Sequence, residues 1–244
     1  MEKVVMLDTR KLGGYMSFEC GKDIASIIIR PSDEAPINSA NVAPLVEEAL
    51  PVFISDTEIT LYTDADRIKI IGSLDHLFLR FSHLTDISGL SKWDVSEIAD
   101  MSWMLNSCTS LTDLSPLKDW DVSNVSDMSG MFGGMESLKD LTPLSSWKPS
   151  NVISFGCMFQ DCTSLTSLNG LGNFDFPRLQ YMDGMFYDCE SLTDVSSLKN
   201  WDVSKLANME YMFMSCPKIS NISVLKENWK LPEYIDADSV FDHT

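Results

Sequence analysis

Four aspartates, Asp86, Asp113, Asp140 and Asp194, share one position of a register that returns every 27 residues, with Ser167 and Asn221 in the two remaining turns of it. A column of carboxylates can bind a cation, hold a basic partner, or simply solvate a face. Calcium is disfavoured, because no calcium-repeat glycine pattern accompanies the aspartates. Set on paired strands about 4.8 Å apart, three successive aspartates repel by roughly 0.9 kcal/mol per adjacent pair in water. A fold tolerates that cost, and a basic partner would relieve it. Small polar residues flank the column: Thr85, Thr112, Lys139, Thr166 and Thr193 on one side, Ser88, Ser115, Thr142, Asn169 and Ser196 on the other. A flat face rich in hydrogen-bonding groups suits recognition better than catalysis. The candidate partner-binding set is therefore Asp86, Asp113, Asp140, Asp194, Thr85, Thr112, Thr166 and Thr193.

Other residues with chemical potential have structural readings. Asp94, Asp121, Asp175 and Asp202 follow an aromatic in each repeat and read as turn caps. Fourteen methionines and six cysteines suggest a soft-metal site. They recur on one apolar face, however, where they read as core. No C-x-x-C pair occurs, and His76, His83 and His243 have no metal-binding spacing. Cys157 alone lies outside the cysteine ladder and is expected to be the exposed thiol; all six are expected to be reduced. There is no phosphate loop, no G-x-S-x-G and no H-E-x-x-H, so no enzyme, metal or cofactor is expected.

The elements that would position these residues come from the repeat. Trp93, Trp120, Trp147, Phe174 and Trp201 are 27 apart, and Trp229 follows after 28. Leu84, Leu111, Leu138, Leu165 and Leu192 begin successive copies, with a further copy from Ile219. Met128, Met131, Phe132 and Met135 have i, i+3, i+4, i+7 spacing, which predicts about two turns of α-helix. The stretch around Leu111, Leu114 and Leu117 predicts a short extended segment, and "WDVSNV" a corner into a second one. The expected fold is an α/β solenoid, a leucine-rich repeat stack of short strands and short helices over residues 77–244, with one continuous core. Helices packed about 8–10 Å apart would keep neighbouring cysteines beyond disulfide reach.

"NVSDMSGMF…SLKDLTPLSSW" and "KLANMEYMFMSC" resemble the BspA-like leucine-rich repeats of bacterial cell-surface proteins. The resemblance covers about residues 77 to 244. "KPS" and "DFP" replace "DVS" in the third and fourth copies. The family implies a bacterial or bacterium-derived protein and a role in adhesion or partner recognition.

Residues 1–76 do not repeat. "VVML", "IASIIIR", "EITLYT" and "DRIKIIGS" predict strands and "NVAPLVEEAL" a short helix, together a small β-rich cap or module. The formal charge of −18 disfavours direct nucleic-acid binding and favours a basic partner. No run of 18 apolar residues predicts membrane insertion, and no signal peptide is visible, so a cytoplasmic location is expected, or the cell surface if a signal was removed. The leading expectation is a non-enzymatic protein–protein interaction scaffold using its acidic face. One alternative is an acidic cytosolic inhibitor of phage or mobile-element counter-defence type, capping a basic nucleic-acid-binding surface of a host protein. Another is a bacterial surface adhesin. Oligomeric state is open.

Overall fold

A computed structural model describes residues 4–9, 23–35, 42–44, 51–55 and 57–242. The predicted strands of the N-terminal third form: β1 (Val4–Asp8), β2 (Ser26–Arg30), β5 (Glu58–Tyr62) and β6 (Arg67–Ile71). In β6 alternation puts Ile68 and Ile70 inside while Arg67 stays in water. β3 (Val42–Pro44) lies where a helix was expected, because Val42 pairs with Phe53 of β4 (Pro51–Ile54). The rest of that expected helix, Asn41 and residues 45–50, lies outside the described residues. One sheet runs β2-β5-β4-β3; the other runs β1-β6-β7, all parallel. β7 is Trp93–Asp94, so the second sheet continues into the first full repeat.

The helix-and-strand stack expected for residues 77–244 does not form, and the α/β solenoid assignment is corrected. Between residues 77 and 242, α-helix is confined to α1 (Ser223–Asn228) and α2 (Ala237–Phe241), both after the last well-formed repeat. The Met-x-x-Met-Phe stretches are runs of turns. The reason is visible in where the backbone N–H groups go. Met101, Trp103, Leu105 and Ser107 donate to Asp127, Ser129, Met131 and Gly133 of the next repeat. Met104, Asn106 and Cys108 donate only three residues back. An α-helix needs every N–H for the residue four positions earlier; here every second one crosses to the neighbour.

Two columns of left-handed residues make this geometry possible. His76, Trp103, Gly130, Cys157, Gly184 and Tyr211 all have φ between 56° and 62°. Arg80, Ser107, Gly134, Asp161, Asp188 and Ser215 have φ between 58° and 69°. Each sits third in a four-residue turn such as Met101–Met104, the position where a type II turn demands positive φ. The expected strands at Leu111–Leu117 and its counterparts are also replaced. Short 3-10 turns occupy Ser115–Leu117, Thr142–Ser146 and Ser196–Leu198. Pro116 and Pro143 fix φ at the start of two of them.

The apolar columns face one core. Phe132, Phe159, Phe186 and Phe213 stack face to face with centroids 5.5, 5.7 and 5.7 Å apart. The ladder cysteines do more than fill space. Cys108, Cys162, Cys189 and Cys216 donate their thiols to the carbonyls of Phe78, Phe132, Phe159 and Phe186, thirty residues earlier. Burial pushes the Cys108 and Cys162 thiols up to about 12, so they stay protonated. The five described cysteines are all unpaired, although no helices hold them apart; Cys20 and His243 lie outside the described residues.

The indoles are arranged in the same way. Trp120, Trp147, Trp201 and Trp229 donate Nε1–H to the carbonyls of Leu90, Leu117, Leu171 and Leu198. Buried Trp93 has no such partner, because thirty residues earlier the chain is Thr63, at the end of β5 rather than in a repeat. Among the described residues the indole N–H of Trp93 therefore has no hydrogen bond to set against its desolvation. Trp147→Phe should cost about 1 kcal/mol more than Trp93→Phe in urea denaturation, the difference being one buried hydrogen bond. Equal losses would show that the indole ladder is packing alone.

Candidate functional site

Each aspartate of the first ladder is held by its own backbone. Asp86, Asp113, Asp140 and Asp194 accept, through Oδ1, the N–H of Ser88, Ser115, Thr142 and Ser196 at 2.8–2.9 Å. The Ser115 hydroxyl adds a bond to Asp113 Oδ2, and the Thr142 hydroxyl bonds Asp140. This is the Asx turn expected of the second set, where Asp94, Asp121 and Asp202 hold Ser96, Ser123 and Ser204 alike. A third set, missed in the sequence, does the same: Asp100 and Asp127 hold Ser102 and Ser129, and Asn208 holds Glu210. Its signal was an Asx residue at one register position in three of the copies, Asp100, Asp127 and Asn208, with Ser154 and Tyr181 in the other two. Most corners of the repeat are thus built by one device; Asp175, also expected as a turn cap, is an exception, because Pro177 two residues on has no N–H to donate.

The first ladder is not uniform. Asp86, Asp113 and Asp140 are exposed, whereas Asp194 is half-buried. The Ser196 hydroxyl and N–H, and then the Asn221 amide that donates to Asp194, hold that carboxyl below its ordinary range. Backbone pairing also differs along the column. Parallel bridges join Ser26 to Asp86 and Ser167 to Asp194. No backbone hydrogen bond joins Thr85–Asp86 to Thr112–Asp113, or Thr112–Asp113 to Lys139–Asp140. The strand pairing behind an even 4.8 Å spacing is therefore missing across Asp86, Asp113 and Asp140. The threonines divide in the same way. Thr85 and Thr193 spend their hydroxyls on the carbonyls of Ala25 and Thr166. Thr112 and Thr166 are exposed, and their hydroxyls bond nothing among the described residues. Among those residues no Lys or Arg lies within ion-pair distance of Asp86, Asp113 or Asp140.

A concave feature lies on the turn columns, away from the aspartate ladder. A cleft of about 370 Å³ is lined by Cys157, Gln160, Asp183, Gly184, Tyr187, Tyr211 and Met214. Cys157 is half-buried, the most accessible of the five described thiols, as its place outside the ladder suggested. Burial, with Asp183 and Asp161 nearby, raises its pKa, which argues against a reactive thiolate. No group of three or more His, Cys, Asp or Glu side chains among the described residues is arranged to hold a metal ion. No helix among them is long and apolar enough to cross a membrane.

Two overlapping stretches, residues 73–194 and 167–244, match the family described as "Mycoplasma protein of unknown function, DUF285". No curated protein and no solved structure matches the chain.

Proposed function

The chain belongs to the DUF285 family, whose description carries no activity, and from its surface we propose that it is a non-enzymatic scaffold that binds a basic protein partner through the face bearing Asp86, Asp113 and Asp140. One observation carries this reading. Three consecutive repeats present exposed carboxylates that are oriented by their own turns and have no Lys or Arg within ion-pair distance among the described residues. A pre-positioned carboxylate loses little rotamer freedom on binding, which lowers the entropic cost of association. The hydroxyls of exposed Thr112 and Thr166 bond nothing among the described residues, and no backbone hydrogen bond joins Thr112–Asp113 to Thr85–Asp86 or to Lys139–Asp140. The net charge of −18 extends attraction for a basic partner beyond contact distance.

The test is capture from a host lysate by wild type and by a variant with Asp86, Asp113, Asp140 and Asp194 changed to Asn. Asparagine keeps the Oδ1 acceptor, so the turns survive while the charge goes. Wild type should retain basic proteins at low salt and release them as salt rises through a few hundred millimolar. The Asn variant should melt near wild type and retain much less. A folded Asn variant that keeps every partner at low and high salt alike would sink the proposal.

A further inference from the structure

The cleft at Gly184 exists because one column of side chains has a gap. Along the left-handed column the occupants are His76, Trp103, Gly130, Cys157, Gly184 and Tyr211. The two glycines are not equivalent. Above Gly130 lies the Trp103 indole, 2.6 Å from where a Cβ would sit, so that gap is filled by the preceding repeat. Above Gly184 lies only the short Cys157 side chain, its sulfur 3.4 Å from the Cβ position, and the space stays open. Tyr187 and Tyr211 wall it, Met214 and Gln160 complete it, and Tyr211 is 53% exposed, so its ring is accessible.

The charge around this cleft has one sign. Asp183 lines it, and its carboxylate has no hydrogen bond or ion pair among the described residues. Asp161 and Asp188 occupy adjacent places in the neighbouring left-handed column. Burial, then Asp188 and Glu136, raises the pKa of Asp161, so these carboxylates lie close enough to repel. An apolar or anionic occupant would leave that repulsion in place. A planar cation offers both what the aromatic walls and what the carboxylate favour: it stacks on tyrosine and bonds a carboxylate through two N–H groups.

We propose that the cleft formed by Gly184, Tyr187, Tyr211 and Asp183 receives an arginine side chain of a partner protein. The guanidinium lies against the tyrosine rings and donates to the Asp183 carboxylate, over the floor that Gly184 leaves without a side chain. The site is separate from the aspartate ladder and stands or falls independently of it.

The experiment is an NMR titration of the full chain with N-acetyl-arginine amide, following the Gly184, Tyr187 and Tyr211 signals. The neutral isostere N-acetyl-citrulline amide serves as control. A single side chain should bind with a dissociation constant on the order of millimolar. Saturable shifts confined to these residues, at least about tenfold weaker with citrulline, are expected. Gly184→Tyr should abolish them. Tyr211 already occupies the same backbone conformation in the next repeat, and ordinary contact distances surround the new Cβ. Asp183→Asn should weaken binding about tenfold, and the Asn variant of the aspartate ladder should leave it unchanged. No saturable shift, equal binding of citrulline, or undiminished binding by folded Gly184→Tyr would each overturn the proposal. Preferential binding of an uncharged aromatic probe such as N-acetyl-tyrosine amide would overturn it as well.

Discussion

Gly170→Ala should cost about 3–5 kcal/mol of folding stability, the sum of a strained backbone and a forced displacement of the neighbouring repeat. Gly170 has φ of 109°, a region that L side chains rarely adopt. A Cβ there would lie 2.1 Å from the Leu141 carbonyl oxygen and 2.5 Å from its carbon. Those are backbone atoms, fixed at the start of the 3-10 turn at Thr142–Ser146, so no rotamer change relieves the clash. Gly184→Ala is the matched control. Its φ is 58° and its new Cβ would meet side-chain atoms at 3.4 and 3.7 Å, ordinary contact distances. Only the left-handed conformation is then penalised, at about 1–2 kcal/mol. Urea denaturation of the two variants beside wild type separates the terms. Similar losses for both would show that the repeats do not approach as closely at Gly170 as described.

Phe159→Ala should cost about 3–5 kcal/mol, the usual range for a buried ring removed without collapse of the site. Phe159 is fully buried, with Phe132 stacked on one side at 5.5 Å and Phe186 on the other at 5.7 Å. Its backbone is fixed as well: its N–H donates to Met185, and its carbonyl accepts the Cys189 thiol. Neighbours tied on both sides cannot move in to fill the space. Phe159→Leu keeps most of the apolar volume but loses both ring contacts, each worth about 0.5–1.5 kcal/mol, and should fall between wild type and alanine. A Phe159→Ala loss below about 1 kcal/mol would mean that the column relaxes and that stacking is not what holds the repeats in line.

Much of the core was legible from spacing alone. Once Trp93, Trp120, Trp147, Phe174 and Trp201 are seen to be 27 apart, every position inherits the burial of its equivalents. Met128, Met131, Phe132 and Met135 are buried as that rule requires. The same rule marked Cys157 as an outlier in its copy. It did not reveal the cleft beside it, because the depth of a gap at Gly184 depends on what the preceding repeat supplies: an indole above Gly130 but only a thiol above Gly184. Nor did it show that Asp86, Asp113 and Asp140 are turn residues like Asp121. Periodicity reports that a position faces solvent, and an exposed turn cap and an exposed ligand group look the same in it.

The secondary structure was the larger failure, with a specific cause. Apolar residues at i, i+3, i+4 and i+7 mark one face of an α-helix. Two successive turns with a left-handed residue every fourth position bury the same set. The residues in those left-handed positions do not separate the cases, since Trp103, Cys157 and Tyr211 stand beside Gly130 and Gly184. What separates them is the destination of the N–H groups of Met101, Trp103, Leu105 and Ser107, and those donate to carbonyls 26 residues further along the chain. By itself the sequence determined the period, the identity of the columns and which side chains are buried, because each follows from like residues occupying like places. The conformation of the repeat and the open cleft at Gly184 were decided only in the tertiary structure, because both depend on what an adjacent repeat presents: carbonyls for the turn N–H groups, and a side chain too short to fill the gap.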